Sequence, residues 1–164
     1  MSGRGTAPVG PGARWEELEA AAPDLAVGGR QLLFQHGLGL GYLATIRPDG
    51  GPRLHPFCPI LAEGGLWGFI GPSPKALDLR RDGRYAVHAF PADEVDDEFC
   101  VDGTAIETTS PATIAAVRAA YTAPIQGGDE TLFEFRIERA LLATYGPRPS
   151  WPPQYLRWRA SPER

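Results

Sequence analysis

The chain has 164 residues, 43% of them apolar and 22% charged, with a formal net charge of −4. That length supports one domain with a sizeable core, and the acidic balance argues against binding driven by nucleic-acid phosphates. No run approaches the ~18 apolar residues that a spanning helix needs, and "MSGRGTAPVGPGARW" at the start lacks the apolar stretch of a secretory leader. A cytoplasmic location without membrane or nucleic-acid partners is therefore expected. Cys58 and Cys100 have neither metal-ligand spacing nor the density of a disulfide scaffold, so two reduced thiols are expected. His36, His55 and His88 form no cluster, and no metal is expected.

Residues 1–13 are rich in Gly, Pro and Ser and read as a disordered tail. In "RWEELEAAAPDLAVGGRQLLFQHG", Trp15, Leu18 and Ala22 share a helical face. Pro23 can open a second helix, which Leu25, Leu32, Leu33 and His36 continue and Gly37 stops. Gly28 and Gly29 weaken it by about 1 kcal/mol each relative to alanine. "LGYLATIR" alternates as a strand, "PDGG" turns, and "PRLHPFCPIL" returns as an edge or bulged strand, because prolines 56 and 59 remove ladder donors. "LWGFI" is a third strand. "RYAVHAF" and "FCVDGTAIE" alternate, with the acidic "PADEVDDE" between them as a solvated connection. "SPATIAAVRAAY" is a helix with Ser110 as N-cap and Pro111 at its first position. "TLFEFRIERALLATY" is the last long strand. The C-terminal stretch is Pro-rich and irregular, yet its Trp151, Tyr155 and Trp158 imply that it packs on something. The sum is about six strands with peripheral helices, an α+β domain built on a small antiparallel barrel.

"GPSPKALDLRRDGR", residues 71–84, holds the candidate site. Ser73 reads as an N-cap and Pro74 as the first helical residue. Lys75 then falls in the first turn, where the helix end is already positive and cations are disfavoured. Free N–H groups plus an ammonium make an anion site. The alternative is that Lys75 snorkels to solvent and Ser73 simply caps.

The ordered segments "GYLATIRPDGGPRLHPFCPIL", "GLWGFIGPSPKALDLRRDGRYAVHAF" and "DDEFCVDGTAIE" resemble the pyridoxamine 5′-phosphate oxidase-like, FMN-binding split-barrel family. The likeness covers about residues 38–107 and extends less specifically to 145. It rests on a strand with Ala-Thr, an Asp-Gly turn, a His-Pro strand, and a strand leading into Ser-x-Lys. It implies a six-stranded antiparallel Greek-key split barrel over residues 14–145, with 146–164 packing on the domain or on a dimer partner. It further implies a homodimer with cofactor sites at its interface. FMN is the usual cofactor, some branches use a deazaflavin coenzyme, and a few bind haem.

The resemblance puts Ser73 and Lys75 at the flavin phosphate, with Arg81 adding positive potential beside Arg80 and Arg84. Leu43, Ala44, Thr45 and Ile46 match the strand along the flavin ring, and Phe69 and Ile70 match positions flanking it. Each of these could equally be ordinary barrel packing. His55 could reach the pocket or be a barrel histidine satisfied by backbone, and His88 is open in the same way. Where the vitamin-processing oxidases carry a phosphate-gripping arginine, this chain has Gly41 or Tyr42; it also lacks their Arg-x-His pair, and "RWRASP" only faintly echoes their terminal motif. Pyridoxamine phosphate is thus not expected as substrate. The implied function is an oxidoreductase acting on an unknown small molecule, with a deazaflavin-dependent reductase or a non-catalytic flavin- or haem-binding protein as alternatives. No residue stands out as a general acid or base.

Overall fold

The computed structural model describes residues 12–123 and 128–161. The N-terminal stretch expected to be disordered lies outside these up to residue 11; Ala13 bridges to Ile137. Helix α1 (Trp15–Ala21) buries Trp15 and Leu18, and α2 (Pro23–Leu33) buries Leu25, Leu32 and Leu33. The helix ends at Leu33, not at Gly37. The chain must reverse there into the first strand, and the Leu33 carbonyl accepts from the Leu40 N–H at 2.9 Å. Gly37, at φ 79°, makes the turn.

Among the described residues, eight strands form one antiparallel sheet. They are β1 (Gly41–Ile46), β2 (Pro52–Phe57), β3 (Ile60–Ala62), β4 (Gly65–Ile70), β5 (Arg84–Ala89), β6 (Glu98–Thr108), β7 (Thr131–Thr144) and β8 (Gln154–Arg159). Helix α3 (Pro74–Arg81) lies between β4 and β5, and α4 (Pro111–Ala120) between β6 and β7. The order is β2-β1-β5-β6-β7-β4-β3, with β8 also on β7. Two features raise the strand count above six. "PRLHPFCPIL" breaks at Cys58 and Pro59 into β2 and β3, since proline has no N–H to continue the ladder. The C-terminal stretch, expected to be irregular, supplies β8; its prolines flank the strand, and residues 154–159 are free of them. β4 pairs with Thr131–Glu134 of β7, and β8 with Arg139–Thr144 further along.

The hydrogen-bonded path is open, and its two edge strands, β2 and β3, are consecutive in the chain with two residues between them. The sheet therefore curls until its edges approach. Phe135 of β7 fills the interior, 5.1 Å (centroid to centroid) from Phe57 of β2 and 4.8 Å from Tyr85 of β5. The bend is helped by a register shift at Asp102/Gly103 in β6, where a Cβ on Gly103 would sit 2.0 Å from the Arg136 carbonyl oxygen. Helix α4 starts as expected, with the Ser110 hydroxyl accepting from the Thr113 N–H at 3.3 Å. It seats Val117 in a separate apolar cluster with Ile60, Trp67 and Leu132.

The glycines of α2 have a packing reason. A Cβ on Gly28 would lie 2.5 Å from Leu142, and one on Gly29 would lie 2.4 Å from the Phe99 ring. The helix approaches the sheet at backbone distance, and that contact outweighs a propensity loss of about 1 kcal/mol. Gly29→Ala should therefore destabilise the fold by about 1–3 kcal/mol through overpacking, despite alanine's better helix propensity. Urea unfolding checks this; equal or greater stability would mean that α2 does not dock so closely.

Candidate functional site

The strands divide their side chains between two faces. In β1, Leu43 and Thr45 are buried, whereas Tyr42, Ala44 and Ile46 look to the other, half-exposed side. Register pairs Leu43 with His55 and Thr45 with Arg53, so these four share the core-side face. The four β1 residues expected along one ring thus split two and two.

Helix α3 is tied to that face by one carboxylate. Asp78 is 1% exposed. Its Oδ2 accepts from Thr45 Oγ1 at 2.9 Å and from Arg53 Nε at 2.7 Å, and its Oδ1 accepts from both terminal nitrogens of Arg81 at 3.2 Å. Arg81 also donates to the Ile46 carbonyl. Burial alone would push the Asp78 carboxyl up, but the hydrogen bonds from Arg53, Thr45 and Arg81 outweigh it and hold it below the ordinary range. The other arginines of the stretch are also paired: Arg80 with Glu107 at 2.7 Å and Arg84 with Asp82 at 2.6 Å.

That leaves Lys75. It is half-buried, and no carboxylate pairs with it among the described residues. Burial lowers its pKa, and the nearby Cys58 offsets this in part. Ser73 holds the N-cap position, but its hydroxyl does not cap; it donates backwards to the Gly71 carbonyl at 2.9 Å. The Ser73 carbonyl takes the N–H groups of Ala76 and Leu77. Pro74 has no N–H, and the Lys75 amide lies in the first turn, where helix N–H groups have no intrahelical partner.

His55 stands near this lysine. Its Nε2 is buried without a hydrogen-bond partner among the described residues. Burial, then Lys75 and Arg53, lower its pKa, against a smaller opposing effect of Asp78. The imidazole is therefore neutral at pH 7, and a buried ring nitrogen without a partner costs about 1–3 kcal/mol. Cys58 also neighbours Tyr121, whose hydroxyl is pushed up to about 12 by burial and by Cys58. Tyr121 packs 6.3 Å from Phe69, and Arg118 lies 4.4 Å over the other ring. Phe69 thus faces α4, while Ile70, 1% exposed, points into the core.

The structure therefore gathers His55 and Lys75 with Cys58, near the pair Phe69 and Tyr121. Arg81 is engaged with Asp78, and Ala44 and Ile46 lie on the opposite face of their strand. Cys58, Tyr121, Arg53 and Asp78 were not foreseen. Tyr121 read as part of a helical stripe, and Asp78 as one charge among many; only its position three residues before Arg81 hinted at a local pair.

No family model matches the chain, and no curated protein matches it. Solved structures do. The chain superposes on a haem-binding protein from Mycobacterium smegmatis with a TM-score of 0.61 and 17% identity, over 80% of this chain and 57% of that one. It superposes on a general stress protein 26-related protein of the pyridoxinephosphate oxidase family from Clostridium acetobutylicum with a TM-score of 0.56 and 12% identity, over 88% and 95%. A NimC/NimA family protein from the same bacterium gives 0.55 and 16%, over 79% and 91%. The chain spans little more than half the length of the mycobacterial protein. At these identities the likeness is one of fold: this is the pyridoxamine 5′-phosphate oxidase-like architecture. Among the described residues, no helix is long and apolar enough to cross a membrane.

Removing the Asp78 carboxylate should leave Arg53 and Arg81 facing each other without a counter-charge. Asp78→Ala is expected to cost about 3 kcal/mol, the lower end for a broken buried pair because both arginines keep some water contact. The carboxyl titrates lower folded than unfolded, so its contribution is complete above the ordinary value of 3.8 and is lost as pH falls through the folded value. Wild type should lose more stability than Asp78→Ala between pH 5 and pH 2. Parallel acid limbs in urea unfolding would refute this.

Proposed function

We propose that the chain is a flavin-binding split-barrel protein, an oxidoreductase of a small molecule, which holds the phosphate of FMN at the Ser73–Lys75 loop. The observation that carries this is the proximity of two unmet needs: a half-buried ammonium without a carboxylate among the described residues, and a buried imidazole nitrogen without a partner among them. A phosphate ester answers the first through the Lys75 ammonium and the amide N–H at the helix start. Neutral His55 can donate or accept at Nε2 without adding a charge of its own. Phe69 supports the reading as an aromatic surface on the same side as Tyr121.

Bound flavin would supply the hydride chemistry, and the protein's part would be binding, orientation and exclusion of water. Lys75 and His55 anchor. Asp78 keeps Arg53 and Arg81 off the ligand and holds α3 in place. The fold supports two further parts of the reading: the sheet acts as a split barrel, and two copies associate as a homodimer. Deazaflavin is less well served, since Arg80, Arg81 and Arg84 each have an internal carboxylate and none is left for a polyanionic tail.

A second reading has its own observation. His88 Nδ1 lies 2.6 Å from the Ala89 carbonyl oxygen, which fixes that nitrogen as donor and leaves Nε2 as the nitrogen that would hold a haem iron. The ring borders a recess of about 430 Å³ lined also by Tyr145 and Arg148. A haem-binding protein among the structural neighbours supports testing it.

Titration of the purified chain with FMN, followed by quenching of flavin fluorescence, separates the readings. Lys75→Ala should weaken FMN at least tenfold, the loss expected from a charge-assisted phosphate contact. Unchanged affinity would remove the proposed phosphate site. A Soret band with haemin that disappears in His88→Ala, together with no FMN binding, would replace flavin by haem.

A further inference from the structure

A second concavity, of about 640 Å³, lies on the opposite face of the sheet, across β6, β7 and β8. Register places its side chains in two rows. Cys100, Leu141 and Arg157 stand side by side, and so do Asp102, Arg139 and Arg159. Three guanidiniums thus meet one carboxylate. Asp102 is engaged by Arg139, with Nε donating to Oδ1 at 2.8 Å. Arg157 lies 4.4 Å over the Tyr155 ring, and neither it nor Arg159 has a carboxylate partner among the described residues.

Arg139 and Arg159 are direct cross-strand partners. Like charges so placed repel and destabilise a sheet pair. The repulsion is conspicuous in a chain whose net charge is −4. Twenty acidic residues are present, yet β8 offers arginine, not glutamate, opposite Arg139. Leu141 gives the recess an apolar floor beside the Cys100 thiol.

We infer that this recess is a binding site for a small organic oxyanion, a carboxylate or phosphate ester with an apolar body, gripped by Arg157 and Arg159. Guanidinium forks suit both anions because two parallel N–H donors match two oxygens. The anion relieves the Arg139–Arg159 repulsion, and Leu141 receives the body. The site is independent of the flavin reading, and its test needs no cofactor.

The test uses the full chain and two probes, benzoate and inorganic phosphate, each followed by titration calorimetry. At least one should bind, and Arg159→Gln should weaken it roughly tenfold or more, while Arg47→Gln, at an exposed ion pair in the turn after β1, leaves it unchanged. Benzoate binding alone assigns a carboxylate; phosphate binding alone assigns a phosphate ester. Arg159→Glu should abolish binding and also raise the melting temperature, because it turns a like-charge pair into an opposite-charge one. Three results would overturn the inference: neither probe binding at millimolar concentration, equal affinity in Arg159→Gln, or a lowered melting temperature in Arg159→Glu with binding intact. Self-association that Arg159→Glu dissolves, with no probe bound, would assign the face to a second copy and overturn it as well.

Discussion

The Asp78 carboxylate, buried under α3, organises the end of the sheet where the candidate site lies. Taking a carboxylate out of water costs several kcal/mol unless charged partners and hydrogen bonds replace the lost solvation. Here Thr45 from β1, Arg53 from β2 and Arg81 from α3 itself do so. The β1–β2 hairpin is thereby fixed to α3, which follows two strands later in the chain. The start of α3 follows from that docking: with Pro74 in the first position and the Ser73 hydroxyl turned to Gly71, the helix presents Lys75 and its amide beside His55.

The same clasp settles the electrostatics. Four basic residues occur within ten positions of the chain, from Lys75 to Arg84. Arg80 and Arg84 each have a carboxylate of their own and Arg81 shares Asp78 with Arg53, so among the described residues Lys75 is the cation of this stretch that has no carboxylate partner. A diffuse basic surface would attract any polyanion, whereas a single desolvated cation with an adjacent N–H suits a compact group such as a phosphate ester. On the other face of the sheet the balance runs the opposite way. Arg139 takes the one carboxylate, and β8 adds two more guanidiniums beside it. The sheet therefore carries two separate concentrations of positive charge, one on each side.

Close backbone packing lets one short chain build both. The glycines of α2 admit Leu142 and Phe99, and Gly103 lets β6 bend against Arg136. With the sheet curled, the long β7 runs through its middle, and its two halves serve different partners: the first half β4, the second β8.

Much of this was readable from the residues in order. Alternation marked the strands, Ser-Pro pairs marked the starts of α3 and α4, and the lysine fell in the first turn of α3 as expected, because each depends on neighbours within a few positions. Other features were out of reach because they depend on distant contacts. Asp78 meets Arg53 across 25 residues. The terminal prolines hid β8, whose strand state depends on a free edge of β7. The two faces of β1 were visible as an alternation, but which face is tied to α3 through Asp78 was not. The order of residues determined the local conformations and the kinds of charge available. The folded arrangement decided which charges cancel and which remain, since a charge's effect depends on its distance from others and from water, and strand pairing sets both.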